Sequence, residues 1–187
     1  MKASKSGLVA ALAVGSLLAS GQAPRAFAQA AGACAATPSV TEGPYYKAGA
    51  PQRSNLAATT SGGTRLTLTG QVLDASCHPL AGAVLDVWQA DANGAYDNSG
   101  YTLRGRVTAD ARGRYALVTV VPGEYPGRTE HIHVKVSAPG HATLTTQLYF
   151  PKVAGNARDG LFNAKTLVKD FKASGGTASA TFTFVLR

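Results

Sequence analysis

Two histidines one residue apart, His131 and His133, stand in the run Glu130-His131-Ile132-His133-Val134-Lys135-Val136. Side chains alternate along a β-strand, so both imidazoles point to one face while Ile132, Val134 and Val136 take the other. A β-protein presents two ligands to one metal in this way, although a polar strand face that merely carries histidine reads the same. Two tyrosines stand out beside them. Tyr96 and Tyr125 lie in the turns Asp91-Ala92-Asn93-Gly94-Ala95-Tyr96 and Pro122-Gly123-Glu124-Tyr125-Pro126-Gly127, and turns at strand ends are where such folds place function. Two phenolates, two neutral imidazoles and a hydroxide make a hard, anionic donor set whose three negative charges neutralise iron(III). Zinc favours histidine with carboxylate or thiolate, and iron(II) oxygenases use two histidines and a carboxylate. His78, in a turn before Pro79, and His141, after a Pro-Gly turn, read as solvated loop residues. Tyr115 and Tyr149 fall within strand patterns and read as packing.

The elements that must position these residues are short strands. From Arg65 onward the apolar period is two: Leu66, Leu68 and Val72, then Ala83, Leu85 and Val87, then Tyr115, Leu117, Thr119 and Val121. Further strands are predicted over 131–138, 143–150 and 178–186. Turn residues separate them, which predicts an all-β fold, an antiparallel β-sandwich with long connecting loops and at most one short helix. That helix falls around Leu161 to Phe171, where Leu161, Ala164, Val168 and Phe171 share a face. Residues 29–64 are rich in Ala, Gly, Ser, Thr and Pro and read as an extended N-terminal arm. The sandwich domain then occupies 65–187, and no internal repeat is present.

At 187 residues the chain suffices for one domain with a real core. Its first 28 residues read as a secretory signal: Lys2 and Lys5 precede an uncharged apolar stretch from Gly7 to Ser20, and Ala26-Phe27-Ala28 offers a small-x-small cleavage pattern. Export to the periplasm or the exterior is expected, with no stable membrane span after cleavage. No paired arginines mark a twin-arginine route, and Cys34 lies too far downstream for a lipoprotein site. The two cysteines of an exported chain, Cys34 and Cys77, are expected to pair. The formal charge of +8 includes Lys2, Lys5 and Arg25, so the mature domain carries +5. Its basic residues are scattered without an aromatic ladder, which points away from nucleic acid and toward anionic small molecules or a negative envelope.

At this point the residues match a known family. The chain resembles the intradiol ring-cleavage dioxygenases, the non-haem iron(III) enzymes related to protocatechuate 3,4-dioxygenase and catechol 1,2-dioxygenase. The resemblance runs through Thr41-Glu42-Gly43-Pro44-Tyr45-Tyr46, Ala83 to Asp91, Gly94-Ala95-Tyr96 and Leu103-Arg104-Gly105-Arg106. It continues through Gly123-Glu124-Tyr125-Pro126, Arg128, His131-Ile132-His133 and Leu144 to Phe150. It implies one Fe(3+) per subunit, held by Tyr96, Tyr125, His131 and His133. Tyr125 would be the axial ligand that leaves when substrate binds, with His133 opposite it and Tyr96 and His131 equatorial. It also implies that Arg128 lies against the substrate ring, that Gln147 is the active-site glutamine and that Tyr45 stands at the pocket mouth. The expected reaction takes a catechol or hydroxybenzoate and O2, cleaves the ring between its two hydroxylated carbons and gives a muconate-type dicarboxylate in aromatic catabolism.

The chain departs from that pattern by lacking the N-terminal helical region of the catechol enzymes, by its short inter-motif loops and by its export signal. Catechol, protocatechuate, hydroxyquinol and substituted catechols therefore all stay open as substrates, as does assembly into a homo-oligomer. Two other classes compete. A secreted β-sandwich binding module would leave the histidines solvated and the tyrosines packed, with no use for Arg128 and Gln147. A zinc hydrolase would need a ligand carboxylate and a general base.

Overall fold

The computed structural model describes residue 1 and residues 33–187, so all but the first residue of the expected signal segment lies outside the described residues. Within the unit Ala31–Arg187, eight strands form two four-stranded sheets. The strands are β1 (Arg65–Asp74), β2 (Val84–Gln89), β3 (Arg104–Thr108), β4 (Arg114–Val120), β5 (His131–Ser137), β6 (Leu144–Tyr149), β7 (Lys169–Ser174) and β8 (Thr177–Leu186). One sheet has the order β4-β1-β8-β7 and the other β3-β2-β5-β6. The expected all-β sandwich is what forms. Its pairings are antiparallel except for one, since β1 and β8 run parallel with Arg65 opposite Thr177.

Period-two patterning explains the core. Leu66, Leu68, Val72, Leu117 and Phe184 from one sheet meet Leu85, Val87, Ile132, Val134 and Leu148 from the other, all essentially without solvent contact. Tyr115 packs against Phe184 and donates its hydroxyl to the Phe182 carbonyl at 2.9 Å, which satisfies its polar end inside the core. Gly70 lies so close to that same carbonyl that a Cβ would sit 1.7 Å from it.

The outer face of the second sheet, where the histidines point, is buried as well. Pairing register puts Trp88, His133 and Gln147 in one row across β2, β5 and β6, with His131 opposite Tyr149. The N-terminal arm crosses this row. It is fastened by backbone hydrogen bonds from Cys34 to Ala75, Thr37 to Val185, Val40 to Thr145 and Arg53 to Arg106, and by the Cys34–Cys77 disulfide. Farther along, the 3-10 turn Leu56–Thr59, with Asn55 as its cap, drops Leu56 into the core.

The expected helix does not form. Leu161 is exposed, Ala164–Thr166 makes one 3-10 turn capped by Asn163, and Lys169–Ser174 is a strand. The apolar residues that suggested a helix do not share a buried face: Ala164 is exposed like Leu161, Val168 is buried in extended chain and donates its N–H to the Tyr149 carbonyl at 2.9 Å, and the half-buried Phe171 packs edge-on to Phe150. A positive φ of 52° at Asp170 and the bulge between Lys169 and Lys172 complete the departure.

The disulfide closes a sequence separation of 43 residues, for which loop-closure entropy allows up to about 4 kcal/mol of stabilisation. Free-thiol titration of unreduced protein should find no thiol. Reduction should lower the melting temperature by several degrees; an unchanged melting temperature would mean that the arm's hydrogen bonds alone hold it.

Candidate metal centre

The site is assembled from one strand and two loops. Strand β5 supplies His131 and His133, which are 2% and 1% exposed. The loop after β2 carries Tyr96. Its turn is organised by the Asp91 carboxylate, which accepts the N–H groups of Asn93 and Ala95. The loop after β4 carries Tyr125, inside a tight turn closed by reciprocal backbone hydrogen bonds between Tyr125 and Arg128. The two loops touch backbone to backbone. Gly123 donates to the Asp91 carbonyl at 2.8 Å, and a Cβ on Gly123 would lie 2.5 Å from the Ala92 carbonyl oxygen. Gly94, at φ +81°, approaches the Glu124 carbonyl so closely that a Cβ would sit 2.2 Å from it.

This contact brings the four expected ligands together. The Nε2 atoms of His131 and His133 are 3.1 Å apart, and the Tyr125 hydroxyl lies 3.5 Å from His131 Nε2. The Tyr96 ring stands edge-on to Tyr125, with centroids 5.8 Å apart, and lies 6.3 Å from His133. Two of these groups are orphaned: the Tyr96 hydroxyl and His133 Nδ1 are buried with no hydrogen-bond partner among the described residues. His131 Nδ1 donates to the Thr129 carbonyl at 2.6 Å, which leaves its Nε2 lone pair facing the other ligands.

The electrostatics follow from burial. Loss of solvent, and then the neighbouring Tyr125, push the Tyr96 hydroxyl far up; burial also raises Tyr125 against the lowering influence of Arg128. Burial pulls His131 down to about 4, and burial with His131 beside it carries His133 well below the imidazole range. Two buried imidazoles and two half-buried phenols, gathered together with the Tyr96 hydroxyl left unpartnered, suit a cation that accepts two imidazoles and two phenolates. No group of three His, Cys, Asp or Glu side chains suited to a metal occurs among the described residues, so a metal here takes the phenols. The donor set thus fits ferric iron.

The remaining expected residues surround this cluster. Arg128 directs Nη1 to the Tyr125 hydroxyl at 3.5 Å and Nη2 to Gln147 Oε1 and the Tyr149 hydroxyl, while its Nε contacts both oxygens of Asp159. Gln147 Nε2 donates to the Thr41 carbonyl at 3.1 Å, which fixes its amide. Tyr45 stacks on Tyr96 at 4.3 Å, and its carbonyl accepts Nη1 of the buried Arg104. Trp88 stacks on His133 at 4.8 Å, and Tyr46 covers Trp88 in turn. His78 sits on the surface beside Asp74, and His141 in a turn, both away from the cluster. A cavity of about 430 Å³ opens beside Tyr125 and Arg128, bounded also by Glu124, Arg158 and Asp159, and falls in the size range of small-molecule pockets.

Four residues of this cluster lay outside the sequence reading of chemistry. Tyr149 is fully buried, as a packing residue should be, yet its hydroxyl joins the Arg128–Gln147 network and reaches the Leu161 carbonyl at 2.9 Å. Its two-residue spacing from Gln147 on a strand was the available signal. Arg104 and Trp88 fall in runs that carry the family resemblance but were given no role, and Asp159 offered no signal, because only tertiary folding brings it here.

The glycine contact between the loops is a sharp test of this assembly. Gly123→Ala should leave the sheets folded but push the Tyr96 and Tyr125 loops apart, lowering ferric iron affinity by roughly 10- to 100-fold. Gly62→Ala, where nothing lies within 4 Å of an added Cβ, should retain iron as the wild type does. Equal affinity in both variants would show that the contact does not set the site.

Known proteins resemble this chain in sequence and fold. The family model described as Dioxygenase matches residues 41–187. The chlorocatechol 1,2-dioxygenase of Pseudomonas sp. (strain P51) is 32% identical over 173 residues, covering 78% of this chain and 68% of that relative. The catechol 1,2-dioxygenase of Pseudomonas sp. (strain EST1001) is 33% identical over 139 residues, covering 60% of this chain and 46% of that protein. The chain thus spans about half the length of the first curated relatives it matches. Among solved structures, the dioxygenase domain of a dioxygenase carbohydrate-binding protein fusion from the cellulolytic bacterium Streptomyces sp. SirexAA-E superposes with a TM-score of 0.77. It is 47% identical, covering 81% of this chain and 98% of that one. With these relatives, and with two tyrosines and two histidines gathered at one centre, the chain belongs to the intradiol ring-cleavage dioxygenase family.

Proposed function

We propose that this protein is an exported ferric dioxygenase that opens a catechol-type ring between its two hydroxylated carbons with O2, giving a muconate-type dicarboxylate. The observation that carries the reading is the convergence of Tyr96, Tyr125, His131 and His133, with the Tyr96 hydroxyl buried and unpartnered. Family membership and the names of the relatives support it. Export rests on the N-terminal signal pattern, and the Cys34–Cys77 disulfide suits an oxidising compartment.

Held by these four side chains, ferric iron would supply a Lewis acid that draws charge out of a chelated catecholate and opens the ring to O2. The protein's own groups do the rest. Tyr125 has its hydroxyl within reach of both His131 and Arg128, so as the phenolate that ferric iron would favour it can take a proton from a substrate hydroxyl. Arg128 then stabilises negative charge developing on the ring. Gln147, tied to Thr41, Arg128 and Tyr149, keeps that guanidinium at the site. Tyr45 closes the mouth over Tyr96 and excludes water. Catechol and hydroxybenzoate both remain in the substrate class proposed.

Loading with ferric iron should colour the protein through tyrosinate-to-iron charge transfer. Tyr96→Phe, His131→Ala and His133→Ala should each lose most of the metal, whereas Tyr125→Phe should keep iron and slow substrate deprotonation. A His131→Ala, His133→Ala double variant that kept stoichiometric iron and wild-type turnover would refute the site. Regiochemistry gives an independent check: the product should absorb in the ultraviolet as a cis,cis-muconate, and a yellow semialdehyde would refute the intradiol reading.

A further inference from the structure

Asp159 lies 31 residues beyond Arg128, in a loop with no ligand of its own, yet its carboxylate is among the most enclosed charged groups near the site. Its side chain is 1% exposed against 16% for that of Arg128. Three donors make four contacts with its two oxygens. Arg128 Nε lies 3.2 and 3.0 Å from Oδ1 and Oδ2, the Leu161 N–H donates to Oδ1 at 2.9 Å and the Thr129 N–H to Oδ2 at 3.0 Å. Burial alone would raise this carboxyl, but the two backbone N–H groups and the guanidinium hold it below the usual carboxylate range, so it stays charged.

The geometry divides the guanidinium into two edges. The Nε edge is spent on Asp159, and the Nη1 and Nη2 tips are thereby turned to Tyr125, Gln147 and Tyr149. A planar fork held by one edge can no longer rotate about its own stem. Without that hold, Arg128 borders the cavity that also contains Glu124, and the guanidinium is free to turn toward solvent and a competing carboxylate. The same loop fixes the Tyr149 hydroxyl through the Leu161 carbonyl, so one anchor sets both neighbours of Gln147.

We infer that Asp159 is the positioning residue that aims the Arg128 guanidinium at the reacting ring, an assignment that rests on the dioxygenase reading above. It is not one of the four side chains that would hold the metal. It acts through Arg128, and this separates it from a mere loop fastener, which would act through Thr129 and Leu161 alone.

The test is a double-mutant cycle on iron-loaded full-length enzyme with catechol as substrate. Asp159→Asn preserves shape and an acceptor for one of the two backbone N–H groups while removing the charge. It should keep wild-type iron content and the wild-type visible band, lower kcat by about 10- to 100-fold and change KM by less than about 3-fold. In an Arg128→Gln background the same substitution should cost less than about 2-fold, because the residue through which it acts is gone. Asp159→Glu, which keeps the charge, should recover part of the lost kcat. An Asp159→Asn variant with wild-type kcat would overturn the inference, as would an equal loss in both backgrounds. Wild-type protein that binds iron but opens no ring would instead overturn the dioxygenase reading, and with it this role.

Discussion

The site depends on closing the outer face of β5 against water. A strand with one face in a sandwich core ordinarily shows its other face to solvent, and two histidines there would be hydrated and free to titrate. Here the N-terminal arm crosses that face. Gly43 passes within 3.5 Å of His133 at the position a Cβ would take, Tyr46 covers Trp88, and the Thr41 carbonyl receives Gln147. Lys135 lies 3.9 Å over the Tyr46 ring and pairs with Glu42 at 2.6 Å, so a charged rim seals the aromatic stack from outside. The arm is therefore a wall of the site as well as a tether.

Buried charge around the cluster is handled in two ways. Arg104 is 1% exposed and is held by main-chain carbonyls, two hydrogen bonds to Asp97 and one to Tyr45. It joins the Tyr96 loop to the arm, where the Tyr45 ring rests on Tyr96. Arg128 instead has a carboxylate partner. A buried cation left without partners is costly, so each arginine ties together segments distant in sequence. The cation on one side braces the aromatic stack, and the ion pair on the other braces the loop after β6.

The sandwich was legible because alternation from Arg65 onward is strong, and the ligand set because residue type, strand spacing and turn chemistry agree. The hidden parts share a physical reason. Strand β3 reads as Arg-Gly-Arg-Val-Thr, a charged run whose first arginine is buried only because distant carbonyls accept its protons. The segment from Leu161 to Phe171 mimicked a helix because four apolar residues at suitable spacing say nothing about whether they share one neighbour. Tyr149 looked like packing because its ring does pack, against Phe162 and His131. Only its hydroxyl joins the polar network. Asp159 was invisible because a lone aspartate in a loop becomes informative only once the fold puts Arg128 beside it.

The parallel pairing of β1 with β8 has a kinetic consequence. Arg65 through Asp74 align with Thr177 through Leu186, so the centre of one sheet is built from the two ends of the domain. A chain emerging from the ribosome cannot complete that sheet until Thr177 to Leu186 have been made, about a hundred residues after β1, and the long-range pairing makes productive collapse slow. The polypeptide is thus held back from closing this sheet by its own topology until β8 is available. Such a delay would suit the export proposed above, in which the chain is threaded through a translocation channel before it takes shape.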